Sequence, residues 1–101
     1  MKKHTKIYLK ALGYDLSDPG AFVPSEISGA KAQDLHHIVS RGKGGKDRIE
    51  NLMALTREEH VQYGDKKIYM PYLLEIHFYF LVTNNVEFDY EYLTNLIKKY
   101  D

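Results

Sequence analysis

The segment "DLHHIVSRGKGGKDRIENLMALTREEH", Asp34 to His60, admits few local structures. Asp34 to Val39 reads as a strand. Ser40 to Glu50 is polar and holds Gly42, Gly44 and Gly45, which are free to take positive φ, so it reads as a compact loop. Asn51 to Leu55 reads as a second short strand or an extended turn. "TREE" then sets Thr56 three residues before Glu59, a capping box, so a helix is expected to start at Arg57 and run to about Tyr69, with His60 in its first or second turn. Strand, loop, strand and helix thus follow one another with little chain between them.

The flanks are simpler. The first ten residues predict a short helix, and "YDLSDPGAFVPSEISG" a loop with one short extended piece. Pro71 either kinks the helix that began at Arg57 or opens a new one. Tyr72 to Val82 is apolar and aromatic, "TNN" is a turn, and Asp89 caps a last helix from Tyr90 to about Lys99. The expected architecture is α+β: a single domain over residues 1–101, with a core motif at 34–67 and a helical part at 68–101. Leu73, Leu74, Ile76, Phe80 and Leu81 are expected to form a core with Leu93, Leu96 and Ile97. The same aromatic surface also suits a homodimer, so both monomer and dimer stay open.

Composition removes several function classes. There are no cysteines, which excludes disulfides, thiolate chemistry and a cysteine-held structural zinc. Ile76 to Val82 is too short to span a bilayer and "MKKHTKIYLK" lacks the apolar run of a signal peptide, so the expectation is a cytoplasmic protein without a membrane partner. The net charge is zero, but residues 1–67 hold twelve Lys or Arg against nine Asp or Glu, and residues 68–101 hold two against five. A locally basic face binds phosphates whatever the total charge, and a solvated charged surface reads the same way.

His36 and His37 stand side by side, and successive side chains of a strand point to opposite faces, so the two are expected to serve different purposes. Neutral imidazole suits both a divalent metal ion and the acceptance of a proton. An isolated pair by itself reads first as one buried, hydrogen-bonded histidine and one exposed.

The order "HHIVSRGKGG", "NLMAL", "TREEH", with nine residues from Asn51 to His60, resembles the HNH endonuclease family and its ββα-metal motif, also called the His-Me finger. The resemblance covers Asp34 to His60. It implies that His36 and His60 hold one divalent metal ion, of which Mg, Mn, Ni and Zn are candidates. It implies that His37 is the general base activating a water and that Asn51 ties down the loop and helps orient that base. The implied reaction is hydrolysis of DNA phosphodiester bonds, as endonuclease or nickase, leaving 5′-phosphate and 3′-hydroxyl ends. Those residue types fit the reaction on chemical grounds, since phosphodiester hydrolysis needs an in-line nucleophile, charge stabilisation at phosphorus and help for the leaving oxygen. Arg41, Lys43, Lys46 and Arg48, on the loop between base and Asn51, are expected to contact DNA phosphates without reading sequence.

The chain departs from the family pattern in two places. Small members from phages and mobile elements carry two Cys-x-x-Cys pairs around a structural zinc; here those places read Ser25-x-x-Ser28 and Thr56-x-x-Glu59. Gly64 stands where some members place a further histidine, and Asp34, Glu59 and Asp65 are candidates for an added carboxylate. His4 and His77 match nothing in the motif: His4 is expected to be exposed and His77 to be packed and hydrogen-bonded. "RGKGGKD" lacks P-loop spacing, so ATP is not implied. The alternative to an active nuclease is a binding module for nucleic acid or protein that keeps the fold and has lost cleavage.

Overall fold

A computed structural model describes residues 1–18 and 20–101; Pro19, in the predicted front loop, lies outside the described residues. Strand β1 (Asp34–His37) pairs antiparallel with β2 (Leu52–Leu55), with Asp34 opposite Leu55 and His36 opposite Met53. Every residue of β2 is buried, because helix α1 (Lys3–Ala11) and helix α2 (Arg57–Tyr63) both pack against it. A strand covered on both sides needs apolar side chains throughout, which "LMAL" supplies. The architecture is α+β with a ββα core, as the sequence predicts.

The connecting loop is held by Asn51, which lies in a 3-10 turn over Ile49–Asn51 rather than in the strand. Its Oδ1 accepts the Val39 N–H at 2.8 Å, and its Nδ2 donates to the carbonyls of Val39 at 3.0 Å and Lys46 at 3.1 Å. One buried amide therefore satisfies backbone groups at both ends of the turn. The expected positive φ holds at Gly44 alone (φ 87°). Gly45 is required for a different reason, since a Cβ there would run into the Val39 carbonyl, and Gly42 meets neither condition.

Helix α2 starts as predicted: the Thr56 hydroxyl accepts the Glu59 N–H, and the Glu59 carboxylate accepts the Thr56 N–H. It ends at Tyr63 rather than near Tyr69. Gly64 leaves the helix with extended backbone and Asp65 takes φ 56°, a region that costs a non-glycine residue free energy. A 3-10 turn over Lys67–Tyr69 leads into helix α3 (Met70–Thr83), which Pro71 helps to open, its fixed φ being tolerated in a first turn. Asp89 caps helix α4 (Tyr90–Tyr100) by accepting the Tyr92 N–H.

Of the expected core residues, Leu73, Leu74, Leu81 and Leu93 are fully buried, while Ile76, Phe80, Leu96 and Ile97 are partly buried against them. His77 sits in this core as expected of a packed histidine. Its Nδ1 lies 2.6 Å from Glu26 Oε1 and its Nε2 lies 2.6 Å from the Ile49 carbonyl, while the Tyr8 hydroxyl donates to Glu26 Oε2 at 2.6 Å. One polar network thereby ties α1, the front loop, the 3-10 turn and α3 together.

Ser25, Ser28, Thr56 and Glu59 also meet. Ser25 Oγ donates to Glu59 Oε1 at 2.5 Å and accepts the N–H groups of Ile27 and Ser28. Burial works against the Glu59 carboxylate, but hydrogen bonds from Ser25, Ser28 and Thr56 prevail and lower its pKa. Hydrogen bonds here join the front loop to the start of α2, a connection that needs no metal.

Candidate active site

The strand pleat sends His36 and His37 to two different groups of side chains, both opening on one cleft of about 330 Å³. Its walls include His4, His36, His37, Arg41, His60 and Asp65.

His36 is 3% exposed, and its Nε2 is buried with no hydrogen-bond partner among the described residues. An unpaired buried polar atom is costly and rare, so its presence calls for an explanation. Across from it stands His60, with ring centroids 4.8 Å apart, and Asp65 completes a group whose ligand atoms lie within 4.8 Å of one another. Burial, followed by the neighbouring His60, lowers the His36 pKa to about 4, so the ring stays neutral and able to donate a lone pair. His60 Nδ1 lies 3.0 Å from Asp34 Oδ2; the carboxylate takes that N–H and leaves Nε2 free. Asp34 is itself held by Arg57 at 2.9 Å, which, with the weaker help of His60, lowers its pKa.

Backbone geometry explains how Asp65 arrives there. A Cβ on Gly64 would lie 2.5 Å from the His60 carbonyl oxygen and 2.6 Å from its Cδ2, with His36 Cε1 at 3.4 Å. Only glycine lets the chain pass this close to both rings and then turn, through the positive φ of Asp65, toward them. The residue that lacks a metal-binding side chain thus makes room for a neighbour that has one. Two imidazoles and a carboxylate, with a buried orphan nitrogen among them, fit a divalent transition-metal ion.

His37 belongs to the second group. Its Nε2 lies 2.7 Å from Asp47 Oδ1, so the proton is assigned to Nε2 and the lone pair to Nδ1. The bond from His37, followed by those from Arg41, lowers the Asp47 pKa. Asn51 stays outside the cleft, 1% exposed, and makes no bond to His37. It anchors the loop that carries Asp47, while Asp47 does the orienting expected of Asn51.

The four basic residues separate into two kinds. Arg41 is exposed at the cleft and bonded to Asp47, and Lys43 and Lys46 are exposed on the same loop. Arg48 is occupied elsewhere: it pairs with Glu50 at 2.9 Å and Asp89 at 3.5 Å, and its guanidinium lies 3.9 Å from the centroid of Tyr92. Those partners make it a strut between the motif and α4.

Three acidic or histidine side chains of the cleft escaped assignment from sequence. Asp47 is the one carboxylate in the glycine-rich stretch of the loop, ten residues after His37, a signal that was available. Asp65 was one of three candidates, and only the break at Gly64 distinguishes it; Asp34 orients His60, and Glu59 is spent on the helix cap. His4 was expected to be exposed. It is half-buried, edge-on to His37 with centroids 4.9 Å apart, because α1 packs over the sheet. No helix of the described residues is long and apolar enough to cross a membrane.

The HNH endonuclease family model matches residues 24–66. That span runs from the front loop through both strands and α2 to the residue after Asp65, so over these residues the chain is similar to the HNH endonuclease family. Neither the curated proteins nor the solved structures provide a match to the chain.

Proposed function

We propose that this chain is a metal-dependent HNH endonuclease or nickase that hydrolyses DNA phosphodiester bonds, with His37 as general base. The observation that carries the reading is the pairing, in one cleft, of a buried unpartnered His36 nitrogen facing a ligand-type group and a His37 whose tautomer is set by Asp47.

With Nε2–H held by the Asp47 carboxylate, His37 accepts a proton from water at Nδ1, and Asp47 stabilises the imidazolium that results. His36, His60 and Asp65 would hold one divalent ion, with Asp34 fixing the His60 ring. Such an ion, when bound, supplies Lewis-acid stabilisation to the phosphoryl and leaving 3′-oxygens. Two imidazoles favour Mn, Ni or Zn over Mg. Arg41 is 60% exposed and exchanges Asp47 for a DNA phosphate at small cost, and Lys43 and Lys46 extend the same basic rim. Contacts of that kind position a duplex without reading bases, so the expected selectivity is weak or structural.

Metal-stripped protein incubated with supercoiled plasmid and Mg, Mn, Ni or Zn in turn tests this. The wild type should nick or linearise, and His37→Ala should lose about 10²–10⁴-fold in rate. A folded protein that stays silent under every metal, yet shifts DNA on a gel, would instead be a binding module on the same fold.

A further inference from the structure

His4, His37 and Asp47 form a second group of ligand-type side chains, all half-buried, with ligand atoms within 4.8 Å of one another. They come from α1, the end of β1 and the loop, so only the tertiary fold assembles them. A cationic group already stands among them: Arg41 Nη2 lies 3.0 Å from Asp47 Oδ1 and 3.3 Å from His4 Nδ1. Arg41 is a surface side chain whose ion pair is screened by water, so a cation with stronger affinity for imidazole displaces it at little cost.

We propose that His4, His37 and Asp47 constitute a second, inhibitory transition-metal site, filled by Zn²⁺ or Ni²⁺ in competition with Arg41. The ion binds His37 through Nε2, the nitrogen that faces Asp47. The proton on that nitrogen then moves through water to Nδ1, with no net loss or gain. Nδ1 no longer has a lone pair to accept a proton from water, so the base is silenced while the group of His36, His60 and Asp65 is untouched. This second site is the weaker of the two, because its donors are already bonded and an ion must displace Arg41, whereas the His36 nitrogen waits unpartnered. The binding stands on geometry alone; the inhibition rests on the proposed role of His37.

Titration of the metal-free full chain with Zn²⁺ by calorimetry, in parallel with His4→Ala, His4→Gln and Arg41→Ala, separates the two parts. The wild type should bind two ions, and both His4 variants, if folded by circular dichroism, should keep the tighter one and weaken the second at least about tenfold. Arg41→Ala should tighten the second ion. A single ion on the wild type, or a second ion indifferent to His4, overturns the site. Plasmid nicking driven by Mn²⁺ should fall as Zn²⁺ fills the second site in the wild type and hold in His4→Ala. Nicking that holds in the wild type with both ions bound overturns the inhibition alone, and a protein inactive under every metal removes the proposed nuclease function while the titration still decides the site.

Discussion

Two buried histidines, His36 and His77, differ in one respect that separates function from scaffold. His77 is 0% exposed and both of its nitrogens are bonded, one to Glu26 and one to the Ile49 carbonyl. His36 is 3% exposed and its Nε2 has no partner among the described residues. Burial alone does not distinguish them. A complete set of hydrogen bonds marks a histidine that the fold uses up, and an orphaned nitrogen marks one kept for something that arrives later.

The electrostatics point the same way with opposite sign. Burial opposes charge on His77, but the Glu26 carboxylate beside it prevails and raises its pKa. The carboxylate near His36, that of Asp65, makes no hydrogen bond to it, and burial prevails over its attraction and lowers the His36 pKa to about 4. Charge is thus favoured on His77, beside a buried carboxylate, and disfavoured on His36, whose neutral ring suits the metal ligation proposed for it.

The sharpest way to break the contrast is to remove each ring in turn. His77→Ala leaves the Glu26 carboxylate buried without its partner and should cost about 3–5 kcal/mol in urea unfolding, enough to threaten folding of a chain this size. His36→Ala should abolish binding of the tighter metal ion and lower nicking about 100-fold or more, while unfolding of the metal-free form loses no more than about 1–2 kcal/mol. Equal losses of stability in the two variants would show that the orphan nitrogen is a packing accident.

A smaller effect is expected one step out from each ring. Asp34 is to His60 what Glu26 is to His77, a carboxylate on the ring N–H, but it is partly exposed where Glu26 is fully buried. Asp34→Asn should weaken metal affinity by about 10–100-fold by calorimetry and leave the midpoint of unfolding nearly unchanged. A large loss of stability instead would make the pair structural.

The mildest test is pH. Between about pH 6.5 and 4 the unfolded chain protonates His36 and the metal-free folded chain does not, so this histidine makes stability fall as pH falls. His77 acts in the other direction: its raised pKa contributes stability that is fully present below the unfolded value and is lost as pH rises through the folded one. His36→Gln should therefore flatten the acid side of a stability profile that His77→Gln, if it folds, leaves steep. Saturating metal should steepen the acid side further, since protons compete for the same ligands.

The chain's local structure was legible because it rests on short-range chemistry. The capping box at Thr56 and Glu59, the cap at Asp89, the two strands and the alternation that parts His36 from His37 all depend on residues a few positions apart. The end of α2 was not, since Gly64 breaks the helix through its approach to His60 and His36, and the latter contact exists only after β1 and α2 have packed.

By itself, the sequence determined the ββα order and the histidines, Asn51 and absent cysteines around which the site is built. Tertiary structure alone decided which carboxylate each histidine meets: Asp34 for His60, Asp47 for His37, Asp65 for the pair of His36 and His60, and Glu26, fifty-one positions away, for His77. Local pattern carries backbone conformation because hydrogen bonds and caps act over a few residues. Partner choice is set by burial and charge in three dimensions, where distance along the chain no longer measures distance in space.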